Sequence, residues 1–210
     1  MAFCTLIFDL DGTISDPSEG IARSFNYALE AFSYDRVEEH SIHRMIGPPL
    51  TEMFGHFLGT LTASRMQDLV DAYRERYATI GFAENVLYPD MPAVIEKLAA
   101  KDYDLGVCTS KREDYAIRIV EMFGLKGFFG FVDGGDVHVK KYMQLERIVS
   151  NGVDADSAVM IGDRAVDIGA ARTNGISSVG VKWGFGGEDE LLEAAPTFLA
   201  ESPADLLEIF

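Results

Sequence analysis

The sequence predicts an α/β fold, a doubly wound parallel sheet with an all-helical segment inserted into it. Three observations predict it. Short apolar runs alternate with amphipathic helical patterns over most of the chain. Several of those runs carry apolar residues at both parities, as strands covered on both faces do. After the first run, a stretch of roughly 70 residues shows helical patterns and no convincing strand.

The elements follow in order. Cys4–Phe8 ("CTLIF") reads as the first strand. Pro17–Val86 reads as the helical insertion, built on "GIARSFNYALEAF", "RVEEHSIHRMI" and "RMQDLVDAYRERYA". Asp16–Ser18 and Asn85–Pro89 serve as its linkers. Alternation then resumes: helix Pro92–Lys101, strand Leu105–Thr109, helix Glu113–Phe123, and a strand around Phe131–Asp133. Helix Met143–Asn151, strand Ala158–Gly162, helix Asp167–Asn174, strand Ser177–Val181, helix Glu188–Ala194 and strand Thr197–Ala200 complete it. Pro92 suits a first helical turn, and Gly124 and Gly175 suit helix stops. Residues 1–16 and 87–210 are thus expected to form one domain and 17–86 a second, helical one.

Composition narrows the partners. Of 210 residues 48% are apolar and 25% charged, as in a soluble globular protein, and the net charge is −16. That charge argues against a nucleic acid polymer or an anionic membrane surface as partner. An anionic substrate would have to be met by local cations or a metal. No apolar run of roughly 18 residues and no basic-then-apolar leader is visible, so a cytoplasmic location is expected. Cys4 and Cys108 both fall in predicted strands and read as small buried apolar residues, not as a disulfide or a nucleophile. No stripe of exposed apolar residues compels association, which leaves monomer or homodimer.

In a doubly wound sheet the reactive crevice lies at the carboxyl ends of the strands, where strand order reverses. Chemistry-bearing residues collect at those predicted ends. "TLIFDLDGTISD" closes the first strand with Asp9 and Asp11, whose offset of two residues puts both side chains on one face of a strand before Gly12 turns the chain, so close that a cation should sit between them. Thr109 and Ser110 close the next strand, followed by Lys111. Lys140 and Lys141 precede a later helix, and "MIGDRAVD" supplies Asp163 and Asp167. An Asp-Gly turn, a strand-end Thr-Ser or a lysine near a helix start is by itself ordinary loop chemistry. Their conjunction, in this order on one rim, points to a site.

"FDLDGTISD", "VCTSK", "KK" and "IGDRAVDIGAA" resemble, in order, the four motifs of the haloacid-dehalogenase-like hydrolase superfamily. The resemblance covers essentially the whole chain. The helical cap between the first two motifs, with "GVKWGFGGEDELLEAAP" near the end, is similar to the phosphoglycolate phosphatase-like branch. "IGPPLTEMF", "GFAENVLYPDM" and "CTSK" are similar to a subgroup described as 5′-nucleotidases.

The resemblance implies a Rossmann-like core and a Mg²⁺-dependent phosphatase acting on a small phosphorylated metabolite. In it Asp9 is the nucleophile and Asp11 the general acid and base. Asp9 and Asp163 are metal ligands, Asp11 adds its backbone carbonyl, and Asp167 acts directly or through a water. Thr109 and the backbone N–H groups of Asp11, Gly12 and Ser110 hold the phosphoryl oxygens, and a lysine neutralises the charge. Many relatives show Lys-Pro where this chain has "VHVKKYMQ". Counting back from the helical pattern Leu145, Ile148 and Val149 favours Lys141 over Lys140. Arg23, Arg44 and Lys111 are candidate substrate contacts, and the Gly47-Pro48-Pro49 loop is a candidate specificity element. His40, His43, His56 and His138 lack zinc-site spacing. Trp183 and Phe185 either pack the core edge or screen the crevice. A nucleoside 5′-monophosphate is the expected substrate, with 2-phosphoglycolate or a phosphotransfer to a sugar hydroxyl as alternatives.

Overall fold

The computed structural model describes residues 3–135 and 139–210. In chain order they form β1 (Thr5–Phe8), β2 (Ser15–Asp16), α1 (Ser18–Ala31), α2 (Glu39–His43), α3 (Leu50–Leu58), α4 (Ala63–Thr79) and β3 (Val86–Leu87). There follow α5 (Met91–Ala99), β4 (Asp104–Arg112), α6 (Glu113–Met122), β5 (Phe129–Gly135), α7 (Lys141–Ser150) and β6 (Ala158–Gly162). The chain ends with α8 (Ala165–Thr173), β7 (Ser177–Val181), α9 (Glu188–Ala194), β8 (Phe198–Ala200) and α10 (Leu206–Ile209). None of the described helices is long and apolar enough to cross a membrane.

The chain divides into two compact units, Met1–Asp16 with Leu87–Phe210, and Pro17–Val86. In the first, the described strands form a six-stranded sheet in the order β5-β4-β1-β6-β7-β8, every pair parallel. The chain leaves β1 for β4 and β5 on one side and returns to β6 on the other. Strand order therefore reverses at β1, which is where a doubly wound sheet opens its crevice. Leu6, Ile7 and Phe8 are wholly buried, because helices cover both faces. On one face Ile7, Cys108 and Met160 pack against Leu145 and Ile148 of α7 and Ala170 and Ala171 of α8.

Helix ends follow from sequence. After α6, Leu125 N–H bonds the Val120 carbonyl and Gly124 N–H that of Glu121, with Gly124 at φ 70°. After α8, Ile176 and Gly175 repeat this on Ala171 and Arg172. Both are glycine-terminated Schellman ends.

The helical unit holds α1 to α4. Phe25 of α1 stacks on Phe54 of α3 with centroids 4.4 Å apart. Asn26 clamps both backbone groups of Val37 at 2.8 and 2.9 Å.

Four expectations need correction. Cys4 is exposed, since β1 begins only at Thr5 and Cys4 sits at its entry. β4 continues past Thr109 to Arg112, alongside β5. Val86 lies in a strand of two residues, too short to show a period. Asp11 lies beyond β1 in a turn, joined by an isolated bridge to Ser15, so strand alternation does not set its direction.

Candidate active site

The site grows from the end of the central strand. Asp9 N–H still donates to the Ile161 carbonyl at 2.8 Å, so the strand direction persists one residue beyond β1. The chain then folds back on itself. The Leu10 carbonyl accepts from Ile14 and Ser15, and Gly12 N–H donates to the Ser15 carbonyl. Gly12 takes φ 84°, which L side chains avoid, and a Cβ there would stand 2.2 Å from Asp163 Oδ2. "DGT" is thus a turn that lets β1 and β6 deliver their aspartates to one point.

That point holds three carboxylates. Asp9, Asp163 and Asp167 each offer an oxygen within 4.8 Å of the others, and all three are buried. Asp163 follows β6 directly, while Asp167 sits in the first turn of α8, where its Oδ2 accepts from Arg164 N–H at 3.0 Å. Burial, with Asp9 and Asp167 nearby, pushes the Asp163 carboxyl up to about 7. Burial likewise lifts Asp167 to about 6, against the opposing pull of Lys141.

Lys141, the first residue of α7, enters this cluster. Its Nζ lies 3.0 Å from Asp9 Oδ1 and pairs also with Asp167, in a side chain 1% exposed. Burial works against the ammonium, but Asp167 and Asp9 outweigh it and hold its pKa above the ordinary lysine range. Lys140, one residue before, is exposed.

A second cation serves Asp11, whose Oδ2 meets Lys111 Nζ at 2.8 Å. Burial raises the Asp11 pKa, Lys111 opposes the rise, and Asp9 adds to it. Thr109 is buried, and its Oγ1 accepts from Lys111 N–H at 3.3 Å, while Ser110 is exposed. Lys111, expected to meet substrate, is therefore engaged with Asp11 inside the protein.

The sequence reading missed how the loop after β7 wraps this cluster. Phe185 N–H donates to Asp163 Oδ2 at 2.7 Å, and Trp183 Nε1 donates to the Thr13 carbonyl at 3.0 Å. A Cβ on Gly184 would stand 2.3 Å from the Asp163 Cβ, and one on Gly186 would be 1.8 Å from the Asp163 carbonyl. The glycine spacing in "WGFGG" was the available signal.

Other predicted residues lie elsewhere. Arg23 and Gly47 belong to the helical unit; Arg23 pairs with Glu84 at 2.9 Å and with Glu19, and Gly47 takes φ 128° in an exposed turn. Exposed Arg44 has its guanidinium 3.2 Å from His40 Nε2. His40 and His56 are exposed, His43 is half-buried, and His138 lies outside the described residues.

The residues fit a hard cation. The three clustered donors are all oxygen, as Mg²⁺ or Ca²⁺ prefers. Among the described residues, Asp163 Oδ1 is buried with no hydrogen-bond partner, as suits an acceptor that would meet a cation. Asp11 stands outside the cluster by its side chain.

Comparison with known proteins agrees with this geometry. The haloacid dehalogenase-like hydrolase family matches residues 6–181. A 5′-nucleotidase of Pseudomonas aeruginosa is 34% identical over 100% of this chain and 96% of its own. A phosphoglycolate phosphatase of Vibrio parahaemolyticus is 28% identical over 97% of this chain and 94% of its own. The solved structure of a haloacid dehalogenase-like family hydrolase from Streptococcus pneumoniae superposes with a TM-score of 0.91, at 28% identity, over 99% of this chain and 98% of that one. With the ends of β1 and β6 and the first turns of α7 and α8 meeting at one carboxylate cluster, and a family match across most of its length, the chain belongs to the haloacid dehalogenase-like hydrolases and stands among their phosphatases.

Proposed function

We propose that this protein is a Mg²⁺-dependent phosphomonoesterase that works through an aspartyl-phosphate on Asp9. The observation that carries it is Asp9 beside Asp163, Asp167 and the buried Lys141. Asp9 and Asp163 would hold the metal with the Asp11 carbonyl, and Asp167 directly or through a water. Bound there, Mg²⁺ would neutralise phosphoryl charge so that one anion can approach another.

The chain's own groups do the rest. Asp9 attacks phosphorus as the ester P–O bond breaks, and Lys141 steadies the attacking carboxylate. Asp11, whose raised pKa suits it to carry a proton, donates that proton to the leaving alkoxide. It then takes a proton from the water that attacks the aspartyl-phosphate, which frees inorganic phosphate and restores Asp9. Thr109 and the N–H groups of Asp11, Gly12 and Ser110 hold the phosphoryl oxygens. Residues 17–86 act as the cap that selects the leaving group.

For the substrate we take a nucleoside 5′-monophosphate, supported by the full-length likeness to the 5′-nucleotidase. The phosphoglycolate phosphatase likeness supports 2-phosphoglycolate as a second reading. Phosphate release from purine and pyrimidine 5′-monophosphates, 2-phosphoglycolate, hexose phosphates and pyridoxal phosphate, each with Mg²⁺, separates them. A wide margin for nucleotides is expected. Preference for phosphoglycolate or a sugar phosphate would overturn the substrate while leaving the chemistry, and unimpaired turnover by Asp9→Asn would overturn the chemistry.

A further inference from the structure

Asp163 and Asp167 stand at the two ends of a bend, Asp163 directly after β6 and Asp167 in the first turn of α8. Two carboxylates that serve one cation must keep a set separation, and outer contacts are what orient such ligands. Within the bend, Arg164 N–H donates to Asp167 Oδ2 at 3.0 Å. From outside it, Phe185 N–H donates to Asp163 Oδ2 at 2.7 Å, which leaves the buried Oδ1 for a cation. These bonds hold the two side chains at the ends of the bend. The backbone between them is held by a third carboxylate.

That carboxylate is Glu190, in the first turn of α9. Its Oε1 accepts from Ala165 N–H at 2.8 Å and from Arg164 Nε at 2.9 Å. Ala165 lies midway between Asp163 and Asp167, and its amide is among the first of α8, which have no acceptor within the helix. The neighbours Glu188 and Asp189 are exposed, whereas Glu190 is half-buried against the bend. A half-exposed ion pair with Arg164 would by itself contribute little. The bond to a main-chain N–H is what sets this carboxylate apart, since it fixes the backbone and not only a side chain. Gly186 permits the approach, because a Cβ there would stand 1.8 Å from the Asp163 carbonyl.

We infer that Glu190 is a positioning residue for the cation site, fixing through Ala165 and Arg164 the bend that spaces Asp163 from Asp167. The inference rests on the metal reading proposed above. Glu190 lies outside the clustered carboxylates and acts through the geometry of the bend, not through its charge.

Two conservative variants separate geometry from charge. Glu190→Asp keeps the charge and shortens the reach by one methylene, whereas Glu190→Gln keeps the reach and an acceptor oxygen but loses the charge. The readout is the apparent Kd for Mg²⁺, taken from the rise of Tm across a MgCl₂ titration of the full-length protein at constant ionic strength. Glu190→Asp should weaken Mg²⁺ binding about tenfold, the low end for loss of an outer contact to a metal site. Glu190→Gln should change it less than about twofold, as the charge of a half-exposed pair is worth little. Mg²⁺ binding unchanged in Glu190→Asp, or weakened as much in Glu190→Gln, would overturn the inference. A parent protein whose Tm does not respond to Mg²⁺ would overturn the metal reading and this inference with it, an outcome seen without any variant. Should Glu190→Asp fail to fold, the parent decides. A hold that favours the cation is favoured by it in turn, so Mg²⁺ should slow hydrogen exchange at the Ala165 amide about fivefold or more. An unchanged exchange rate there would overturn the inference.

Discussion

Asp9 and Asp11 are two residues apart, yet each meets its own lysine. Asp9 faces Lys141 across 3.0 Å and Asp11 faces Lys111 across 2.8 Å. One carboxylate is drawn into the cluster with Asp163 and Asp167, and the other is set aside with a raised pKa. That division suits a nucleophile and an acid. Lys111 favours the ionised form of Asp11, so its loss should make Asp11 hold its proton more tightly. Lys111→Met is thus expected to move the basic limb of the kcat/KM profile to higher pH, as measured with one substrate between pH 6 and 9. A limb that stays in place would show that Asp11 is not the acid it reports. Asp9→Asn should lower kcat by about 10³-fold or more, while the fold survives in circular dichroism.

At the scale of elements, the carboxylate cluster couples stability to pH. Asp163 and Asp167 have folded pKa values of about 7 and about 6, against 3.8 for a free aspartate. The folded state therefore takes up protons that the unfolded chain has already released, and this contribution is lost as pH rises through 6 to 7. A divalent cation bound at the cluster would offset the loss by meeting the ionised oxygens. The rise in Tm on adding Mg²⁺ should accordingly be larger at pH 8 than at pH 6, and a pH-independent rise would place the cation elsewhere. The loop after β7 is the second element at stake. Gly186→Ala drives a Cβ into the Asp163 carbonyl, a backbone atom that cannot swing away. A loss of about 2 kcal/mol in urea unfolding and weaker Mg²⁺ binding by calorimetry are expected. These elements also show what the chain made legible. Asp9 and Asp163 were readable because each follows an apolar run, and Lys141 because a helical period counted back to it. The Phe185 N–H was not, since backbone donors leave no residue signature. The direction of Asp11 was misassigned for a related reason. Its turn closes on Leu10 and Ser15, so its orientation belongs to loop geometry and not to strand period.

For the whole molecule, the dominant long-range quantity is charge. The helical unit, residues 17–86, carries ten acidic and six basic residues, whereas the α/β unit carries 24 acidic and 12 basic. The unit that holds the site is thus strongly anionic, and two of its lysines are buried against aspartates. A dianionic phosphate ester approaching from a distance meets net repulsion, and attraction begins only within reach of the local cations. Added salt shortens the range of that repulsion, with a Debye length of about 10 Å at 0.1 M, but screens buried pairs far less. Association should therefore quicken with ionic strength while the chemistry at the cluster stays nearly constant. kcat/KM for a 5′-mononucleotide is expected to rise about twofold between 20 and 200 mM KCl with kcat unchanged, opposite to an enzyme that steers its substrate by a positive field. A fall in kcat/KM over that range would mean that local cations, not the net charge, govern the approach.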